Sequence, residues 1–122
     1  MGHYTRRRGA FTLVTIDSNR EASNGEILGF IVAHPGNRGH IITIDVVATT
    51  RRSGAGSALL RAAEERLQAA GSPEIWLETA VDNVSALSFY KRHGYSVVKT
   101  IPRYYSNGVD ALVLSKKLAA IP

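Results

Sequence analysis

The chain has 122 residues, of which 44% are hydrophobic and 20% charged, with no cysteine and a formal net charge of +5. That length predicts one domain, and the composition excludes disorder, a fibre, disulfides, thiolate nucleophiles and cysteine-based zinc sites. The positive balance favours an anionic partner, but Lys and Arg spread along the chain equally describe a solvated surface, so charge alone does not select nucleic acid.

No apolar run reaches the ~18 residues of a membrane span, and the start, MGHYTRRRGAF, is basic without an apolar central region. Neither a transmembrane segment nor a signal peptide is expected, and a cytoplasmic protein is. Residues 1–10 read as a remnant or tail, and 11–117 as the core of a single domain spanning 1–122. Phe11 to Asp17 alternates apolar residues with threonines and is rich in β-branched types, which predicts a strand. The polar stretch Ser18 to Gly25 closes a hairpin, Ile27 to His34 is the returning strand, and a turn at Pro35, Gly36 and Gly39 leads into a third strand, His40 to Val47. The first half is therefore an antiparallel meander.

Beyond Val47 the period changes from two to about 3.6, with Leu59, Leu60, Ala63 and Leu67 on one stripe, so an amphipathic helix is expected from Gly56 to Ala70, ended by Gly71. Ile75 to Ala80 (IWLETA) is nearly continuous in apolar character, the pattern of a strand covered on both faces. His40 to Ala80 then forms a βαβ crossover, expected to be parallel and right-handed. Asn83 stands at an N-cap position before a short helix, Val84 to His93, closed by Gly94. Tyr95 to Ile101 and Val109 to Lys116 make a C-terminal hairpin. The fold class is α+β, helices packed on a mixed sheet.

The segment joining the third strand to the first helix, Arg51-Arg52-Ser53-Gly54-Ala55-Gly56-Ser57, is basic, glycine-spaced and opens a helix. Unpartnered N–H groups and the helix dipole make such a place a natural phosphate site, with the glycines removing side chains and widening backbone freedom. Alone, the segment fits an anion cradle and an ordinary strand-to-helix bend equally well. It lacks the Gly-Lys-Ser/Thr of a nucleotide-hydrolysis loop, and Leu59 stands where a dinucleotide fingerprint needs a third small residue. His3, His34, His40 and His93 share no ligand spacing, so no metal site is predicted.

Taken in order, Val46-Val47, Arg51-x-x-Gly54-x-Gly56, WLET at 76–79 and Asn83-x-x-Ala86-x-x-Phe89-Tyr90-x-x-x-Gly94-Tyr95 resemble the GNAT superfamily of acetyl-coenzyme A-dependent N-acetyltransferases. WLET, the Asn83 to Tyr95 segment and the terminal IPRYYSNGVDALVLSKKL are most similar to its protein N-terminal acetyltransferases, of the bacterial ribosomal-protein-alanine type and their archaeal relatives. The resemblance implies that the strands matching His40 to Val47 and Ile75 to Ala80 splay apart to admit the pantetheine arm. It implies that main-chain groups of Val46 and Val47 face the acetyl and pantetheine amides, and that Arg51, Arg52, Gly54, Ala55, Gly56 and Ser57 receive the diphosphate. Asn83 then bonds the pantetheine and Ala86 leaves room for it.

By the same resemblance Glu78 is the general base, Tyr90 the general acid, and Tyr104 and Tyr105 line the peptide entrance. Each also has a structural reading: an ion-paired carboxylate, a core aromatic, loop aromatics packed on the sheet and, for Asn83, a plain N-cap. Deprotonating an α-amine at pH 7 costs roughly 1 kcal/mol, against roughly 4.6 for a lysine, so one modest base suits a peptide N-terminus. The acceptor that the resemblance implies is a protein or peptide N-terminus, and this cost is compatible with it. Rival readings are acetylation of a small-molecule amine and a non-catalytic acyl-coenzyme A-binding module. Nucleic-acid binding through Arg6, Arg7 and Arg8 lacks any supporting signature. Family members carry a strand and one or two helices ahead of the strand matching Phe11 to Asp17. With those missing the sheet has an exposed edge, which predicts a homodimer or swapped element covering it.

Overall fold

The computed structural model describes residues 9–16, 27–47 and 54–118. Six strands form one sheet: β1 (Phe11–Ile16), β2 (Ile27–His34), β3 (Gly39–Val46), β4 (Glu74–Ala80), β5 (Ser96–Ile101) and β6 (Ala111–Lys117), in the order β1-β2-β3-β4-β6-β5. β1, β2 and β3 pair antiparallel, as the alternating sequence predicts. β6 inserts between β4 and β5, antiparallel to both, so the C-terminal hairpin lays its second strand against the crossover strand. The predicted turn over Ser18 to Gly25 lies outside the described residues.

Two helices connect these strands, α1 (Ala55–Ala69) and α2 (Val84–Arg92). α1 buries Leu59, Leu60, Ala63 and Leu67, the stripe read from the sequence. Both helices end in the same hydrogen-bonded motif. Gly71 N–H donates to the Gln68 carbonyl and Ser72 N–H to that of Leu67, and Gly94 and Tyr95 donate to Lys91 and Tyr90 in the same way. This double closure needs a left-handed residue, and Gly71 and Gly94 supply it at φ +93° and +92°. The second motif also sets Tyr90 and Tyr95 edge to face, 5.6 Å between ring centres. No helix among the described residues is long and apolar enough to cross a membrane.

One core unites Ile31, Ala33 and Ile41 with Leu60, Leu67, Ile75, Leu77, Tyr90 and Leu114. The expectation that β4 is covered on both faces is corrected: Ile75, Leu77 and Thr79 are buried, whereas Trp76, Glu78 and Ala80 alternate with them at intermediate exposure. The large apolar Ile-Trp-Leu run disguises this alternation, because Trp76 is half-covered by a neighbouring ring rather than by a second layer.

β3 and β4 pair parallel at only two positions, Gly39 with Ile75 and His40 with Trp76. Just beyond them, the β2–β3 register shifts between Val32 and Ala33, leaving Ile42 as an extra residue on β3. An inserted residue bends and twists its strand, and here it swings β3 away from β4. The sheet opens where the chemistry-bearing residues lie.

Candidate active site

The opening is a cleft of about 340 Å³ lined by Ile41 to Ile44 on β3, Leu77 to Ala80 on β4, and Asn83, Ala86, Tyr90 and Tyr105. Five of the residues singled out from the sequence, Glu78, Asn83, Ala86, Tyr90 and Tyr105, therefore share one wall system. Tyr104 stands at the rim, its hydroxyl 3.3 Å from Glu78 Oε2.

Glu78 is held from two sides. Its Oε1 is 2.9 Å from His40 Nε2. A carboxylate only accepts, so the imidazole donates from Nε2 and Tyr104 donates from its hydroxyl. The His40 ring is itself stacked on Trp76, 3.9 Å between centres and 4° from parallel, so it has little freedom to turn. The carboxylate's charge is the main cause that raises the Tyr104 hydroxyl above its ordinary pKa, with desolvation and the hydrogen bond adding to it. His40 was missed from the sequence because it is 38 positions from Glu78, and only the strand pairing reveals the contact.

Tyr90 is both a core aromatic and a cleft residue. It is 6% exposed, packed edge to face on Phe89 and Tyr95, and burial pushes its phenol up to about 12. The group therefore keeps its proton throughout the physiological range. Asn83 is the N-cap of α2, its Oδ1 accepting from Ala86 N–H at 3.1 Å, which leaves its side-chain NH₂ for a ligand.

The start of α1 forms the other end. Gly54 is left-handed, at φ +92°, with nothing among the described residues within 4 Å of where a Cβ would stand, and the first main-chain bond of the helix is Ala58 N–H to the Gly54 carbonyl. The amides of Ala55, Gly56 and Ser57 precede that bond and find no partner within the helix, and Gly54 has no side chain to cap them. Gly56 lies in the helix, as the sequence predicts, and its smallness serves packing, since a Cβ there would lie 3.4 Å from the Phe89 ring and 3.8 Å from Val46 Cγ2. Val46 thus links the cradle to the cleft. Its neighbour Val47 gives its N–H to the Leu28 carbonyl at 2.8 Å, so that amide turns toward β2. Val46, opposite Gly29 in the non-hydrogen-bonded register, directs its main-chain groups to the other edge. Arg51 and Arg52 lie outside the described residues.

A parallel strand pair that separates after two rungs, with helix amides lacking intrahelical partners at one end and a carboxylate and a phenol at the other, fits an acyl-carrier-dependent transferase. The chain belongs to the acetyltransferase (GNAT) family, whose sequence pattern matches residues 3–95. Members of that family use acetyl-coenzyme A as donor, and the cradle and cleft described above fit its anionic and extended parts. Over 103 residues the chain is 37% identical to N-alpha-acetyltransferase 30 of Schizosaccharomyces pombe, covering 83% of this chain and 67% of that protein. Among solved structures, that of the NatC complex bound to Gag peptide and CoA superposes with a TM-score of 0.79 at 32% identity, covering 88% of this chain and 71% of that one. Nourseothricin acetyltransferase superposes at 0.83 and 26% identity, covering 92% and 67%. The chain spans between about half and two thirds of the length of three curated relatives it matches.

Proposed function

We propose that this chain acetylates the α-amine of protein or peptide N-termini, with Glu78 as general base and Tyr90 as general acid. The observation that carries the proposal is that the Glu78 carboxylate, fixed by His40 and Tyr104, and the buried Tyr90 phenol border one cleft. Acetyl-coenzyme A, when bound, supplies the acetyl group as a thioester. The amides of Ala55, Gly56 and Ser57 would hold its diphosphate, with Arg51 and Arg52 adding charge, and Val46 and the Asn83 NH₂ would face its pantetheine.

An attacking amine must be neutral, and Glu78 is the acceptor for its proton. An α-amine gives up that proton at pH 7 for roughly 1 kcal/mol, within the reach of a single carboxylate. Tyr90 keeps its phenolic proton at Oη for release when negative charge develops beside it. Tyr104 and Tyr105, edge to face at 4.9 Å, would flank the incoming peptide. The likeness to an N-alpha-acetyltransferase over most of the chain supports a peptide acceptor, and the NatC relative was crystallised with one.

The likeness to nourseothricin acetyltransferase favours a second reading, acetylation of a small-molecule amine. Turnover of acetyl-coenzyme A with a panel of N-terminal peptides and small amines separates the two. Activity confined to small amines selects the second, and undiminished activity in Glu78→Gln removes the proposed base. A homodimer belongs to the same proposal: β1 is an edge strand with Val14 and Ile16 about half exposed, and pairing with a second copy would cover it. A monomer by light scattering with full activity rules that out.

A further inference from the structure

The His93 ring bridges the end of α2 and the start of α1. Its Nδ1 is 2.7 Å from the Phe89 carbonyl oxygen and its Nε2 is 2.9 Å from Ser57 Oγ. A carbonyl can only accept, so Nδ1 carries a proton in either charge state. In the neutral ring Nε2 is then bare, and the Ser57 hydroxyl must donate to it. The Ser57 proton is spent inward, and lone pairs are what its oxygen offers outward. In the imidazolium Nε2 also carries a proton and becomes the donor. Ser57 Oγ then accepts, and its own proton is released to bond a group outside.

Ser57 is the third residue of α1, on the turn whose amides precede the first helical bond. An anion there meets a hydroxyl acceptor when His93 is neutral, and a hydroxyl donor plus a nearby positive charge when it is protonated. We propose that His93 is a positioning residue of the cradle, setting through Ser57 whether the first turn of α1 presents a donor or an acceptor to the coenzyme A diphosphate. This rests on the reading of that turn as the diphosphate site.

The surroundings allow the ring to act this way. Phe89 lies against it, 4.5 Å between ring centres, and also closes on Gly56, so the two helix ends are held in register. On its own segment the charged neighbours are Lys91 and Arg92, both exposed. From β6 comes Lys116, near Gly94 and paired with Glu64 at 3.1 Å, and from α1 the facing group is Ser57. Among the described residues the ring's hydrogen-bond partners are the Phe89 carbonyl and Ser57, with no carboxylate to compensate a change in its charge.

The test is calorimetric binding of 3′-dephospho-coenzyme A, whose diphosphate does not itself titrate between pH 6 and 8. The whole chain is compared with His93→Gln, Ser57→Ala and His34→Gln. Affinity in the unchanged protein and in His34→Gln is expected to rise about tenfold from pH 8 to pH 6, the scale of one charge-assisted hydrogen bond gained. In His93→Gln it should be flat, and in Ser57→Ala it should rise by less than in the unchanged protein, because the imidazolium charge remains while the hydroxyl donor is gone. An equal rise in all four proteins overturns the role of His93 while leaving the cradle in place, whereas no binding at any pH removes the cradle and the inference together. Nitrogen-15 NMR of the unchanged protein at pH 8 gives a second reading that needs no variant. The Nδ1–H tautomer of His93 is expected, and the Nε2–H tautomer overturns the proposal.

Discussion

His40 Nε2 and Glu78 Oε1 meet at 2.9 Å across the two strands whose separation makes the cleft. His40 sits at the last paired position of β3 and β4, opposite Trp76, and Glu78 lies two residues further along β4, where pairing has stopped. The carboxylate is thus aimed by the final rung of the ladder into the space beyond it. Glu78→Gln preserves shape and can still accept from His40, but it cannot take a proton. Its expected effect is a fall in kcat of about 10² to 10⁴ with the melting temperature little changed, read by acetyl-coenzyme A turnover and calorimetry.

The imidazole contributes orientation. Stacked flat on Trp76, it offers the carboxylate a donor in a fixed direction. His40→Leu removes the donor and is expected to lower kcat about tenfold, while His40→Gln, which retains an N–H, recovers part of the loss. Equal losses in both variants would show that packing on Trp76, rather than the hydrogen bond, is what matters.

How much of this was legible in the sequence depends on range. Gly71 and Gly94 announced the helix ends because a left-handed closing residue is a local requirement, and Leu59, Leu60, Ala63 and Leu67 announced a buried stripe because helical period is local too. The pairs His40–Glu78 and Ser57–His93 join residues 38 and 36 positions apart, and neither leaves a pattern in the intervening chain. The extra residue Ile42 was equally silent, since HIITIDVV reads as an unbroken strand whether or not one residue bulges. Glu78 was singled out through the resemblance carried by WLET at 76–79, a short local motif that says nothing of its distant partners His40 and Tyr104.

Tyr90 supplies a prediction with a sign. Its burial raises the phenol from its ordinary value of 10.0 to about 12, so the folded state resists ionisation more than the unfolded chain does. The resulting stability is fully present below pH 10 and is lost as the pH rises toward 12. Two pKa units correspond to roughly 2–3 kcal/mol. Tyr95, raised chiefly by burial and also by Glu64, loses stability in the same direction, so the comparison must be made between the unchanged protein and Tyr90→Phe. Urea midpoints measured at pH 8 and pH 11 should fall less in Tyr90→Phe. At pH 8 the same variant is expected to lose about 10- to 100-fold in kcat through the missing acid.

Gly54 and Gly71 give a matched pair in which stability and ligand binding separate. Both are left-handed, at φ +92° and +93°, and at both a Cβ would meet nothing among the described residues within 4 Å. Alanine at either position is therefore strained by the backbone alone, at about 1 kcal/mol. The two differ in place: Gly54 precedes the amides at the start of α1 that have no intrahelical partner, and Gly71 closes the far end of the same helix. Gly54→Ala and Gly71→Ala should show similar drops in urea midpoint. Gly54→Ala should also weaken coenzyme A binding about tenfold by calorimetry, because its methyl group stands in the space before those amides, while Gly71→Ala binds as the unchanged protein does. Equal affinities in the two variants would mean that the first turn of α1 is not where the diphosphate rests.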